Sequence, residues 1–153
     1  MRQSLTLPHP ITILIADDDE DDVRLVERTL RNERVLNTLH HVRDGVEALE
    51  YLRQQGDYAE ARRPDLILLD LNMPRKGGDE VLEEMRNDPK LMGVPVAVFT
   101  TSDDERDEAN AKKYAATSFI TKPLDLAKIR QMMRDIGSYW FCIVALPDVD
   151  FQR

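Results

Sequence analysis

Five polar side chains, each at or just after the end of a short apolar run, are of the types that handle a metal ion and phosphate. They are Asp17, Asp18, Asp70, Thr100 and Lys122. Short apolar runs of this kind are typical of strands that are buried on both faces, as in a parallel sheet. Because the carboxyl ends of parallel strands lie along one edge of a sheet, we expect the five side chains to meet there.

Asp70, taken alone, leaves two interpretations open. It ends the apolar run of residues 66–69 and precedes a loop marked by Pro74, Gly77 and Gly78, so it could simply cap that loop. The other strand ends favour a functional site. Three carboxylates packed together repel one another, and a hard divalent cation such as Mg²⁺, which takes oxygen ligands, is the usual way to offset that repulsion.

Lys122 and Thr100 extend this chemistry from metal binding to phosphate. A lysine ammonium is a point charge that suits a phosphoryl oxygen, and a threonine hydroxyl can donate a hydrogen bond to another such oxygen. An aspartate, a cation, a lysine and a hydroxyl together predict a phosphoryl-transfer site.

The elements that must position these side chains are five strands alternating with five helices. Such alternation predicts right-handed βαβ units, and hence one α/β domain with a doubly wound parallel sheet in a three-layer sandwich. The strand order is the flavodoxin-like 2-1-3-4-5 if the first strand is central. The predicted strands cover residues 11–16, 35–42, 66–69, 95–100 and 118–121, and the predicted helices are centred on residues 23–31, 44–56, 81–85, 103–114 and 124–136.

Local patterns refine three of the helices. Asp44, followed three residues later by Glu47, is a capping box that predicts the start of the second helix. Ala109, Ala111 and Ala115 predict a small apolar face on the fourth helix. The last helix is amphipathic, and its predicted apolar face holds Leu126, Ile129, Met132, Met133 and Ile136.

Composition and charge exclude several classes of protein. With 153 residues the chain is long enough for one domain, and its net charge of −8 argues against a nucleic-acid-binding module. No apolar run approaches the roughly 20 residues that cross a bilayer, and residues 1–10 lack the features of a signal peptide. The single cysteine, Cys142, allows neither an intrachain disulfide nor a zinc site, so a cytoplasmic protein is expected.

The remaining ionisable residues near these motifs are interpreted as structural. Glu20, Asp21 and Asp22 are expected only as helix-start charges near the positive end of the helix dipole. We assign no part in metal binding or phosphotransfer to the three histidines, His40 and His41 included.

In this order and at these strand ends, the motifs resemble the receiver domain of two-component response regulators, the CheY-like family, over about residues 11–137. The resemblance rests on the acidic pair Asp17-Asp18 after the first strand and on Asp70 within Leu-Leu-Asp-Leu-Asn-Met-Pro. It rests equally on Thr100 at the end of the fourth strand and on Lys122-Pro123 after the fifth.

The resemblance implies that Asp70 accepts a phosphoryl group from a sensor histidine kinase. It implies that Mg²⁺, for which Mn²⁺ or Ca²⁺ substitutes in crystals, is held by Asp17 or its bound water, by Asp18 and Asp70, and by the backbone carbonyl of Asn72. It also implies a cis peptide between Lys122 and Pro123.

A switch is implied in the same way. In the family the phosphoryl group draws the hydroxyl of the fourth strand inward, here Thr100, and an aromatic of the fifth strand, here Phe119, rotates into the vacated space. The shift would alter the face formed by the fourth strand, fourth helix, fifth strand and fifth helix. Asn72 and Ser102 occupy the positions that flank the phosphoryl group and tune its hydrolysis.

The two ends of the chain extend beyond this domain. Residues 1–10 are expected to be a lead-in, and residues 138–153 form an aromatic extension that contains Tyr139 and Trp140. With the long loop of residues 55–63, this extension resembles the single-domain response regulators that serve bacterial phytochromes. That implies a phytochrome-type kinase and a homodimer formed by the extension and the face described above, although the apolar extension could instead pack back on its own domain. Because no output domain is expected after Gly137, output would run through a protein partner, a relay to another histidine, or competition for the kinase.

Two other functions compete with that of a phospho-acceptor. A small Mg²⁺-dependent phosphatase of the haloacid-dehalogenase type also uses an aspartate, a hydroxyl and a lysine, but it needs a second Asp two residues after the nucleophile as general acid. This chain has Asn72 there, and its acidic pair precedes Asp70. A non-phosphorylated interaction scaffold is disfavoured because the set of site residues is intact. Intrinsic autophosphorylation and slow autodephosphorylation are therefore expected, rather than a metabolic reaction.

Overall fold

The computed structural model describes residues 11–33, 37–101 and 105–136, which form a single five-stranded parallel sheet with helices on both faces. The strand order is β2-β1-β3-β4-β5, as predicted. The elements in chain order are β1 Ile11–Ala16, α1 Glu20–Asn32, β2 Asn37–Val42, α2 Gly45–Leu52, β3 Leu66–Asp70, α3 Gly78–Arg86, β4 Val96–Thr100, α4 Glu105–Lys113, β5 Ser118–Thr121 and α5 Leu126–Ile136.

Burial explains why the central strands read as continuous apolar runs. Every residue of β1, β3 and β4 is buried, whereas β2 and β5 at the edges also contain partly exposed positions and, in β2, fully exposed ones. Successive side chains of a strand point to opposite faces. Ile13 and Ile15 therefore pack with α1 and α5 through Val26 and Ile129, and the intervening residues of β1 pack toward α2 and α3 on the other face.

The second helix ends earlier than the sequence pattern indicates. It stops at Leu52 rather than near Gly56, because Gln54 adopts a left-handed backbone with φ of 55° and breaks the helical path. Gly56 is also left-handed and starts a short 3₁₀ helix that ends at Tyr58. The Tyr58 hydroxyl donates a hydrogen bond to Glu47 of α2, which ties the loop of residues 55–63 to the domain.

The predicted alanine face of α4 is wrong for two of its three members. Ala111 is buried, but Ala109 and Ala115 are exposed. Residues two apart in a helix point about 200° apart, so Ala109 and Ala111 cannot share a face. Ala115 follows the helix in the left-handed region, with φ of 59°.

The apolar face of α5 is confirmed at its centre and wrong at its start. Ile129, Met132 and Met133 are buried, but Leu126 is 42% exposed. Leu124, in the turn before the helix, takes the inward position instead.

Several predictions fall outside the described residues. They concern the lead-in of residues 1–10, the beginning of the second strand at residue 35, Ser102, Cys142 and the extension of residues 138–153. Within the described part of the chain, no helix combines the length and the apolar character that a membrane crossing requires.

Candidate functional site

The strand ends converge at the carboxyl edge of the sheet, as predicted. The pairing of β3 with β4 sets Asp70 beside Phe99, and the pairing of β4 with β5 sets Thr100 beside Thr121. Ladder hydrogen bonds continue just past the strands, from the Lys122 N–H to the Thr100 carbonyl at 2.7 Å. The backbone thus fixes Asp70, Thr100 and Lys122 relative to one another.

Asp17, Asp18 and Asp70 form a cluster in which one carboxylate oxygen of each lies within 4.8 Å of the others. Asp17 and Asp70 are almost completely buried, whereas Asp18 is exposed and opens the cluster to solvent. Burial raises the pKa of Asp17 to about 6, even though the Asp19 N–H and Lys122 act to lower it. An all-oxygen donor set with excess negative charge fits a hard divalent cation.

Lys122 forms ion pairs with two members of this cluster, Asp17 and Asp70, and with Asp22. Its Nζ lies 2.9 Å from Asp17 Oδ2, 3.2 Å from Asp70 Oδ2 and 2.8 Å from Asp22 Oδ2. Burial acts to lower the pKa of Lys122, but the hydrogen bonds to Asp22 and Asp17 outweigh it, so the pKa lies above its usual value and the ammonium stays charged.

Asn72 connects the loop after β3 to the end of β4. Its backbone N–H donates to Asp70 Oδ1 at 3.0 Å, and its Nδ2 donates to the hydroxyls of Thr100 at 3.1 Å and Thr101 at 3.0 Å. The side chain that was predicted to lie beside the phosphoryl group therefore does stand at the strand ends.

A model of the response regulator receiver domain matches residues 13–134. The chain belongs to the response regulator receiver family. It is a signalling protein of that family, and the haloacid-dehalogenase alternative finds no support.

Similar proteins place this receiver among the relatives of phytochrome response regulators. It is 40% identical over 138 residues to the response regulator Rcp1 of Synechocystis sp., a match that covers 90% of this chain and 94% of Rcp1. The crystal structure of the phosphorylated cyanobacterial phytochrome response regulator RcpA aligns with a TM-score of 0.76 at 42% identity, covering 90% of this chain and 99% of RcpA. The Mn²⁺-bound form of Rcp1 aligns with a TM-score of 0.77 at 40% identity, covering 90% and 99% of the two chains.

The two residues assigned to the receiver's switch occupy different surroundings. Thr100 is fully buried at the end of β4, where Asn72 contacts its hydroxyl. Phe119 is partly buried on the edge strand β5 and packs against the apolar cluster on the α2, α3 and α4 side of the sheet. The Lys122–Pro123 peptide is cis, in agreement with the resemblance.

Asp22 is a site residue that the sequence interpretation missed, since it was expected only as a helix-start charge. The signal was available in the helical spacing. Asp22, Val26 and Leu30 lie four residues apart and share the inward stripe of α1, on which Val26 and Leu30 are buried.

His41, to which the sequence assigns no part in metal binding or phosphotransfer, contacts the backbone beside the carboxylate cluster. Its Nε2 lies 2.6 Å from the carbonyl oxygen of Asp17. Because a carbonyl oxygen only accepts, Nε2 carries the proton and donates. This hydrogen bond holds the end of β1 without touching the carboxylates.

Gly78 allows α3 to begin directly against the strand that carries Asp70. A β-carbon at residue 78 would lie 2.2 Å from the Asp70 carbonyl oxygen. The predicted loop therefore ends at Gly77, and Gly78 is the first residue of the helix rather than part of the turn. Its N–H donates to the Leu71 carbonyl at 3.1 Å and closes the loop.

Proposed function

We propose that this receiver accepts a phosphoryl group on Asp70 from the phosphohistidine of a sensor histidine kinase. The observation that carries the proposal is the contact of Lys122 Nζ with both Asp70 and Asp17 beside the carboxylate cluster. A carboxylate oxygen of Asp70 would form a bond to phosphorus while the phosphorus–nitrogen bond breaks. The electron pair of that bond leaves with the imidazole nitrogen.

The residues of the site would divide the work of transfer. Lys122 would donate to one phosphoryl oxygen and Thr100 to another as negative charge accumulates there. The Asn72 N–H would keep the Asp70 carboxylate oriented through its present hydrogen bond to Oδ1. Lys122 and the Asn72 N–H already contact Asp70, whereas the Thr100 hydroxyl would have to move toward the phosphoryl group.

Mg²⁺ is the cofactor we propose, held by Asp17, Asp18, Asp70 and the backbone carbonyl of Asn72. A divalent metal would neutralise the charge of the transferring phosphoryl oxygens. The Mn²⁺-bound form of Rcp1 supports a divalent ion in a similar receiver. The deep burial of Asp17 and Asp70, with Asp18 exposed, suits a cation that enters from solvent and keeps some of its water.

Phosphorylation would be read through Thr100 and Phe119. Drawing the buried Thr100 hydroxyl toward the phosphoryl group vacates space that the partly buried Phe119 would enter, which would change the face formed by β4, α4, β5 and α5. Asn72 and Ser102 would tune the lifetime of the aspartyl phosphate. The receiver would also phosphorylate itself from small phosphodonors and slowly hydrolyse the product.

We further propose that the kinase is a phytochrome-type photoreceptor and that the protein acts in the cytoplasm. The relation to Rcp1 and RcpA supports this choice. In this view residues 1–10 are a lead-in, residues 11–137 the receiver domain and residues 138–153 an extension that forms a homodimer together with the β4, α4, β5 and α5 face.

The test of the central proposal is incubation of the purified protein with acetyl phosphate and Mg²⁺, followed by intact mass. We expect the mass of one phosphoryl group to appear in the wild type and to be absent from Asp70→Asn. Asp65→Asn is a matched control, because Asp65 precedes the same strand but accepts its hydrogen bond from the Thr12 N–H at the opposite edge. An adduct that survives Asp70→Asn would overturn the proposal.

Dimer formation is tested separately by sedimentation of the full chain and of a chain that ends at Gly137. We expect the full chain to associate more tightly. Two monomers, or two dimers of equal affinity, would contradict the proposed role of the extension.

A further inference from the structure

Lys122 has one more carboxylate partner than phosphoryl transfer requires. An ammonium group has three donors, and here the Nζ has three carboxylate partners within 3.2 Å. The Lys122 side chain is only 8% exposed, so water has little access to replace a lost partner. The position of the ammonium is therefore set by the balance among Asp17, Asp22 and Asp70.

The three carboxylate partners of Lys122 would have different parts in the proposed reaction. Asp17 and Asp70 belong to the cluster that fits a metal ion, and Asp70 is the proposed acceptor. Asp22 belongs to neither group. Of the three contacts of Lys122, the one to Asp22 is the shortest and the one to Asp70 the longest, at 2.8 and 3.2 Å.

The backbone of Asp22 is held by the side chain of Asp19, the N-cap of α1 in the same acidic segment. Its N–H donates to Asp19 Oδ1 at 3.4 Å, and the Asp19 N–H donates to Asp17 Oδ1 at 2.9 Å. The start of α1, the carboxylate cluster and Lys122 thus form a closed set of contacts. Asp22 is fixed with respect to Asp17 before any ligand arrives.

We propose, on the basis of the function proposed above, that Asp22 is a positioning residue that acts through Lys122. It keeps the ammonium within reach of α1 when a metal ion engages Asp17 and when Asp70 becomes an acyl phosphate, whose negative charge lies on the phosphoryl oxygens. Without Asp22, Lys122 is drawn fully onto Asp17 and Asp70, where it competes with the metal ion and covers the oxygen that must react.

The test compares Asp22→Asn with Asp21→Asn, each made in the wild type and in a Lys122→Met background. Asp21 is the matched control, because it also lies in the first turn of α1 but is 85% exposed and pairs with Arg24. The rate of phosphorylation by acetyl phosphate is measured by intact mass over a range of donor and Mg²⁺ concentrations.

We expect Asp22→Asn to lower the maximal rate about tenfold, equivalent to about 1.4 kcal/mol, with little change in the half-saturating concentration of donor. The same substitution should change nothing when Lys122 is Met, and Asp21→Asn should match the wild type. An unchanged rate, an equal loss in the Lys122→Met background, or an equal loss in Asp21→Asn would each overturn the proposal.

Urea unfolding of the same variants tests the contact between Asp22 and Lys122 without relying on phosphorylation. A double-mutant cycle between Asp22 and Lys122 measures their coupling without any phosphodonor. A zero coupling overturns the inference even if Asp70 is phosphorylated normally. A positive coupling in a protein that takes no phosphoryl group shows that the proposed function has failed and that the Asp22–Lys122 contact is real.

Discussion

Lys122 and Arg86 are two cations in the same domain with opposite kinds of partner. Lys122, at the carboxyl edge of the sheet, has three carboxylates around it. Arg86, the last residue of α3, has four backbone carbonyls. Its guanidinium donates to those of Tyr114 at 2.6 Å, Met92 at 2.7 Å, Val94 at 3.0 Å and Ala115 at 3.2 Å.

The carbonyls around Arg86 precede β4 and β5, so its network lies at the amino edge. Burial lowers the pKa of Arg86, but an arginine remains charged throughout the ordinary pH range. Backbone carbonyl oxygens carry no formal charge, and near neutral pH they are neither protonated nor phosphorylated. Arg86 therefore makes a fixed junction among α3, the chain before β4 and the turn that leads into β5.

The carboxylates around Lys122 can all change their charge or their partner. Protonation or a metal ion alters the balance that holds the ammonium, and so would the phosphorylation proposed above. The contacts at the carboxyl edge of the sheet thus depend on the charges present there, whereas the contacts of Arg86 at the amino edge do not. Four experiments test this difference, in order of expected effect.

Lys122→Met should have the largest effect on stability. It leaves three carboxylates without a counter-ion, and breaking a buried ion pair costs about 3–5 kcal/mol. We expect this loss in the urea unfolding of metal-free protein at pH 7, and Mg²⁺ should restore much of it by supplying a new positive charge. Lys112→Met, at an exposed position, is the control. If Mg²⁺ fails to restore stability, the contacts at the carboxyl edge do not respond to charge any more than those at the amino edge.

Arg86→Met should cost about 3 kcal/mol, because four carbonyls lose a charged donor. Arg86→Lys should recover less than half, since an ammonium cannot span the carbonyls that the planar guanidinium reaches. Unlike the first variant, both should be indifferent to Mg²⁺ in the same unfolding assay. A Mg²⁺-dependent recovery would remove the distinction between the two edges.

The pH dependence of stability should separate the edges further. Because burial raises the pKa of Asp17 to about 6, its proton stabilises the fold fully below the unfolded pKa near 3.8. That contribution is lost as pH rises through the folded pKa, up to about 3 kcal/mol for a shift of about two units. The free energy of unfolding is measured from pH 4 to pH 7 in EDTA for the wild type and for Asp17→Asn. The difference between the two curves isolates the contribution of the Asp17 carboxyl group. Arg86→Met should keep the wild-type profile, and a flat difference curve would refute the prediction.

Asp44 should show a smaller effect of opposite sign. Burial acts to raise the pKa of Asp44, but the hydrogen bonds from Arg75 and from the Glu47 N–H together lower it by more. The pKa of Asp44 therefore lies below 3.8. Its stabilising contribution is present above the unfolded pKa and is lost as pH falls through the folded one. Asp44→Ala should cost about 1 kcal/mol at pH 7 through loss of the cap, and less at pH 3. A cost that grows on acidification would contradict this sign.

The difference between the edges also explains how much of the molecule could be predicted from sequence. Lys122 and Asp17 are 105 positions apart, yet the rule that parallel strands end on one edge brought them together. The partners of Arg86 are carbonyls, which every residue possesses, so no residue type marks them. Asp22 was missed for another reason. It stands in a run of acidic residues, and this run drew attention away from its four-residue spacing to the buried Val26 and Leu30.

Turns were the least predictable part of the fold. Gln54 and Ala115 adopt left-handed backbone conformations, although neither residue type favours them. The conformation of Gln54 shortens α2. The helix start at Asp44 was confirmed, because there a side chain makes the bond: the Asp44 carboxylate accepts from the Glu47 N–H at 2.8 Å. The reciprocal half of the capping box is displaced by one residue, since Glu47 accepts from the Arg43 N–H at 3.0 Å rather than from the Asp44 N–H. Local structure was predictable where a side chain carries the interaction.

The close approach of α3 to the strand end sets a limit on how this domain can be recombined. Since no β-carbon fits between residue 78 and the Asp70 carbonyl, a helix borrowed from another receiver can replace α3 only if it starts with glycine. Among the described side chains of α4, by contrast, Ala111 is the one that is buried, so that helix tolerates exchange as a module. Engineers who wish to redirect this receiver to new partners should therefore graft surfaces onto α4 and leave the beginning of α3 untouched.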